Sequence, residues 1–149
     1  MEATVIRDEE KTICDLPPSY APSATEEFMN DYQREYFRQK LVRWKNDLTK
    51  DNEAVMKYLQ EEGKSCTDVA DRATSETDLA YELHSKERAR KLIRKIDEAL
   101  IRIKNCTYGY CEETGEPISL KRLEARPIAM LSLEAQERHE RRERVQKDS

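Results

Sequence analysis

The sequence predicts a mainly α-helical protein, with a long antiparallel two-helix coiled-coil hairpin on a small globular base that carries a degenerate zinc-finger-like lobe and a C-terminal helix. Three observations lead there. Of 149 residues, 39% are charged and only 37% hydrophobic, too lean a supply for a large spherical core. Among three glycines and five prolines, Pro17, Pro18, Gly109 and Gly115 lie outside the two longest periodic stretches, which can therefore run as unbroken helices. Those stretches are similar in length and each carries one apolar stripe, so pairing with each other is the simplest way to bury both.

Taken in order, residues 1–22 hold Pro17, Pro18 and Pro22 with few apolar positions, and read as an irregular arm packing on the base. The hairpin is expected over residues 23–104. Ser23 stands three residues before Glu26, the capping-box spacing, and supplies the predicted helix start. Phe37, Leu41, Trp44, Leu48, Val55 and Tyr58 then form a seam that keeps heptad spacing if Asp51 fills the gap. The break is expected at Gly63–Ala73, with the tip at 64–74. Leu79, Leu83, Lys86, Ala89, Ile93, Ile96, Leu100 and Ile103 make the returning seam, with one slip in phase near Lys86. At 1.5 Å per residue such an arm extends on the order of 50 Å, more than the molecule needs for its own stability. Residues 105–149 change to a turn-rich, aromatic composition and form the base, its core expected from Tyr108, Tyr110, Ile118, Leu123, Ile128 and Leu131. Leu133–Lys147 returns to a charged helical pattern.

Composition excludes several functions. The net charge of −4 comes from 31 acids against 27 bases mixed along the chain, which argues against coating nucleic acid or an anionic membrane. The start, MEATVIRDEEKTICD, carries acids where a signal peptide needs an apolar core, and no apolar run approaches the ~18 residues that span a bilayer, so a cytoplasmic protein is expected. Cys14, Cys66, Cys106 and Cys111 are expected as thiols. A seam that doubles back satisfies itself within one chain, predicting a monomer over a self-associating structural coiled coil.

Three constellations bear on chemistry. Cys111 and Thr114 are two residues apart, Ser132 and Ala135 likewise, and 17 residues separate the pairs. That is the frame of a four-cysteine zinc site with one strong ligand left, so zinc is not expected. Cys106 and His139 are the only nearby residues from which a site could be rebuilt; His139 and His84 otherwise read as surface residues. Asp68 and Asp71 sit three apart where the chain reverses, with Ala73 after them. Either they form a functional acidic tip or Asp71 simply caps the second helix. Exposed carboxylates at the end of a rod lack a pocket and a partner histidine, so no catalytic residue is assigned and no enzyme is expected. Arg88, Arg90, Lys91, Arg94 and Lys95 alternate with acids on the second helix, and Lys121, Arg122 and Arg126 cluster in the base. Such runs are solvated faces or sites for an anion or an acidic protein surface.

DVADRA at the tip, ERARKLIRKIDEAL on the returning helix, YGYCEETGEPI and RLEARPIA together resemble the DksA/TraR family of bacterial transcription factors, over about Glu26–Ala135. The resemblance implies a protein that binds RNA polymerase directly, without sequence-specific DNA contacts. Its coiled-coil tip would enter the secondary channel and modulate open-complex stability. The family's Asp-x-x-Asp-x-Ala tip is matched by Asp68, Asp71 and Ala73. The resemblance also implies ppGpp at the polymerase interface, as in the stringent response. Arg88, Lys91, Leu92, Lys95 and Arg126 are assigned to that interface, and Gln136 replaces a usual lysine. Cys111, Thr114, Ser132 and Ala135 depart from the family's four cysteines, implying a zinc-independent variant. The competing implication is a Gre-like accessory factor for transcript cleavage.

Overall fold

The computed structural model describes residues 12–62 and 69–148. Among them are four helices: α1 (Asp31–Glu62), α2 (Val69–Lys104), α3 (Leu120–Ala125) and α4 (Leu133–Asp148). No strand accompanies them, only an isolated antiparallel bridge between Tyr110 and Pro117. The described residues up to Leu41, together with those from Glu98 onward, form one compact unit, and Val42–Asp97 forms a second. The base thus takes in the first turns of α1 and the last turns of α2, in addition to the expected 105–149.

The hairpin unit is an antiparallel pair. Lys45 Nζ meets Asp97 Oδ1 at 2.7 Å, and eleven residues further along α1, Met56 Sδ meets Lys86 Nζ, eleven residues back along α2. Equal steps in opposite senses are the signature of antiparallel neighbours. Trp44, Leu48 and Asn52 are half-buried on α1, as are Ala89, Leu92 and Ile93 on α2, and Ile96 has no exposed surface. Three expectations for the seam are corrected. Asp51 is exposed, and the neighbouring Asn52 turns inward instead. Leu79 and Leu83 remain 39% and 49% exposed, because the seam near the tip passes through Glu82, Ser85 and Lys86 and leaves both leucines at its edge. The slip at Lys86 is present, with its ammonium on the Met56 thioether. Val55 and Tyr58 have side chains outside the described set.

Helix ends differ from expectation at both sides of the hairpin. α1 starts at Asp31 and not at Ser23. Asn30 is its cap, with Oδ1 accepting from Gln33 N at 2.8 Å. Ser23 and Glu26 complete only half of a capping box: Glu26 Oε1 accepts from Ser23 N, while Ser23 Oγ takes Thr25 N. Met29, at φ 53°, turns the chain between the two capping signals. α2 begins at Val69, inside the expected break, so Asp71 and Ala73 belong to its first turns and Asp71 is not its cap. Cys66, Asp68 and residues 64–67 of the expected tip lie outside the described residues.

In the other unit, Phe37, Leu41, Ala99, Leu100, Ile103, Tyr108, Ile118 and Leu123 make a core closed by Ile128, Ala129 and Ala135. Leu131 is only half-buried. Tyr110, expected in that core, is 39% exposed and meets the edge of the Phe28 ring instead. Tyr108 donates its buried hydroxyl to Pro127 O at 2.7 Å, which meets the demand for a partner that a phenol carries into an apolar core. Gly109 is required twice over: its φ is 89°, and a Cβ there would stand 3.0 Å from Met29 Cγ. The arm is tied to α1 through Glu35, which has no exposed surface. Ile13 N donates to Glu35 Oε2, Arg38 to both carboxylate oxygens, and Gln39 to Oε1. Burial alone would raise the Glu35 pKa. These donors overcome it and hold the carboxyl below its ordinary value.

Candidate functional site

In the hairpin unit, Arg88, Lys91, Leu92 and Lys95 recur at helical spacing along one stripe of α2. Arg88, Lys91 and Lys95 are exposed, and Leu92 is half-buried at the stripe's inner edge. Asp71 and Ala73 lie near the N-terminus of the same helix, more than four turns before this stripe. Arg126 lies in the other unit, exposed at the C-cap of α3, where its amide donates to Arg122 O at 2.7 Å. Gln136 is half-buried on α4 and donates Nε2 to Glu140. His84 and His139 are exposed, and His139 faces Glu143 at 3.7 Å.

The lobe turns on Cys111. A loop from Tyr110 to Pro117 folds back through Cys111 N to Glu116 O at 2.7 Å and Gly115 N to Cys111 O at 2.8 Å. Glu112 N then donates to Met130 O, joining this loop to the segment before α4. Cys111 is buried, and Thr114 and Ser132 converge on its sulfur. Burial pushes the thiol pKa up. The hydroxyls and amides of Thr114 and Ser132 donate hydrogen bonds that outweigh it and lower the value to about 6. Ser132 also caps α4, its Oγ accepting from Ala135 N at 3.3 Å. Ala135 is fully buried, so a methyl group fills the fourth corner of the frame.

This donor set does not fit a tetrahedral zinc site: it offers one thiolate, two hydroxyls already used in hydrogen bonding, and a methyl. Cys106 does not rebuild it. That residue is exposed at φ 62°, ending α2 in a Schellman turn in which Thr107 N donates to Arg102 O and Cys106 N to Ile103 O. Among the described residues, no three His, Cys, Asp or Glu side chains group as metal ligands would. No described helix is long and apolar enough to cross a membrane. Cys14, Cys106 and Cys111 are free thiols.

Residues 33–103 match the N-terminal domain of DnaK suppressor protein DksA, and residues 107–141 match the prokaryotic dksA/traR C4-type zinc finger. The RNA polymerase-binding transcription factor DksA of Caulobacter vibrioides is 59% identical over 129 residues, covering 87% of this chain and 91% of that protein. The chain belongs to the DksA/TraR family. The DksA of Escherichia coli K12, likewise named an RNA polymerase-binding transcription factor, is 37% identical over 84% of this chain and 83% of its own length. The solved structure of transcription factor DksA2 from Pseudomonas aeruginosa superimposes with a TM-score of 0.75 at 42% identity, over 83% of this chain and 93% of that one. The DksA coiled-coil fold is therefore the fold of this chain. The zinc-finger match spans residues 107–141, within which the four positions of the sequence frame hold Cys111, Thr114, Ser132 and Ala135.

Proposed function

We propose that this chain binds RNA polymerase directly and regulates transcription without catalysing a reaction of its own. The hairpin tip would enter the secondary channel and shift the stability of promoter open complexes. The observation that carries this reading is the antiparallel pairing of the two long helices, with Asp71 and Ala73 in the first turns of α2, at the opposite end of that helix from Asp97. The names of the Caulobacter and Escherichia relatives support the partner. Physically, a short acidic segment on a stiff helical pair can favour one arrangement of the mobile elements around an active site over another, and a ligand shifts an equilibrium only by such differential contact.

Arg88, Lys91, Leu92, Lys95 and Arg126 are proposed to meet polymerase and ppGpp in a stringent-response role. Gln136 in place of a lysine removes one charge-assisted contact to the nucleotide's phosphates. The chain is proposed to act as a monomer in the cytoplasm, without reading DNA sequence, and its lobe is proposed to fold without zinc.

The test uses purified polymerase and a ribosomal promoter, with and without ppGpp. The double variant Asp68→Asn/Asp71→Asn is expected to bind polymerase like the parent and to lose its effect on initiation. Regulation equal to the parent's would sink the tip mechanism. Shortening of nascent RNA in stalled complexes would replace it with transcript cleavage.

A further inference from the structure

Aliphatic groups pack the outer hairpin less tightly than the part near the base. Ile96 has no exposed surface, whereas Leu83 and Leu79 stay 49% and 39% exposed at the edge of the seam. In this outer part Met56 of α1 is 37% exposed, and its thioether accepts a hydrogen bond from the ammonium of Lys86, which is half-buried on the facing side of α2. The pair is mismatched, because an ammonium is a strong donor and a thioether sulfur a weak acceptor. One oxygen added to the sulfur removes the mismatch, since a sulfoxide is polar and its oxygen is a good acceptor. Oxidation of a methionine in a core disrupts packing, but this sulfur lies at the rim of the seam with a cation already beside it. Met29 and Met130 are both half-buried, Met29 with Cγ 3.0 Å from where a Cβ on Gly109 would stand.

We infer that Met56 is a site of reversible oxidation to the sulfoxide, and that Lys86 takes the new oxygen as its acceptor and so ties the two helices together in the oxidised state. The inference does not depend on the polymerase reading. With hydrogen peroxide as oxidant, the sulfur lone pair not engaged by Lys86 attacks one peroxide oxygen, forming an S–O bond as the O–O bond breaks. The departing hydroxide takes a proton from the Lys86 ammonium and leaves as water, and the amine recovers a proton from the S–OH cation. Sulfur loses two electrons, peroxide gains them, and the products are a sulfoxide and water. A thiol-dependent methionine sulfoxide reductase reverses the change: two thiols become a disulfide and the oxygen leaves as water.

The test treats the full-length protein with hydrogen peroxide under native conditions and follows each methionine by peptide mass spectrometry. Position 56 is expected to gain oxygen severalfold faster than positions 29 and 130. Amide hydrogen exchange is then compared, oxidised against reduced, over Met56–Glu62 of α1 and Thr77–Lys86 of α2. In the parent, oxidation should slow exchange about two- to fivefold, the effect of one hydrogen bond gained across the pair. In Lys86→Leu the slowing should be absent. Each variant serves as its own reduced reference, so a change in baseline stability cancels. Met56→Leu keeps every cysteine and the other methionines, and peroxide should leave exchange in these segments unchanged. Methionine sulfoxide reductases of both stereochemical classes, with dithiothreitol, should restore the thioether mass and the original exchange rates. Oxidation of Met56 no faster than of Met29 and Met130, exchange in the oxidised parent that is unchanged or faster, equal slowing in either variant, or a sulfoxide that the reductases leave in place would each overturn the inference.

Discussion

Cys111 is the buried cysteine of the lobe that matches the dksA/traR zinc finger family. Thr114 and Ser132, two residues of the frame read from the sequence, lower the pKa of its thiol. The sign of the resulting pH dependence is determined by the lowered pKa. The unfolded thiol titrates near 9 and the folded one near 6, so the contribution to stability is full above about pH 9 and declines as pH falls through about 6. Cys111→Ala is expected to remove this dependence and to cost about 1–3 kcal/mol through the donors left without an acceptor, measured by urea denaturation between pH 6 and 9. Cys106 makes the opposite point. It holds a left-handed conformation at the end of α2 that glycine adopts freely, and Cys106→Gly should therefore raise stability by about 0.5–1 kcal/mol in the same assay. The spacing of the four frame positions was legible in the sequence. The left-handed turn was not, because cysteine carries no signal for it.

For the helices, what matters is the gradient of burial along α2. Ile96 has no exposed surface, whereas Leu83 keeps 49% of its own. Ile96→Ala is expected to destabilise the chain by about 2–4 kcal/mol and Leu83→Ala by under about 1 kcal/mol, a contrast that thermal or denaturant melts would register. Equal losses would mean that the outer hairpin is packed as tightly as the inner. Periodicity predicted both helices and the seam residues from Phe37 to Leu48 and from Lys86 to Ile103, because a stripe at 3.5-residue spacing has one way to be buried. It missed the seam's edge near the tip and the choice of Asn52 over Asp51. A one-residue change of phase moves a side chain by about 100° around a helix, and no composition signal marks where that happens. It also put the start of α1 at Ser23. Two capping signals compete there, and Asn30 is the one with a helix behind it.

At the scale of the whole molecule the family is clear from both the sequence pattern and the matched structure, and the proposal that the lobe folds without zinc is the one to test. Protein purified from zinc-containing medium is expected to hold far less than one zinc per chain by elemental analysis, and its melting temperature should not change on adding a chelator. Stoichiometric zinc would show that hydroxyl and thiolate together suffice as ligands.

The sequence by itself determined the helical hairpin and the spacing of Cys111, Thr114, Ser132 and Ala135, since both are read from residue types at fixed separations. Tertiary structure alone decided that Glu35 anchors the arm, that Glu124 turns away to Lys40, and that Lys121, Arg122 and Arg126 are left around a recess with Leu133. The first two outcomes join residues 22 and 84 positions apart, and contacts over such separations arise from packing, which no local pattern encodes.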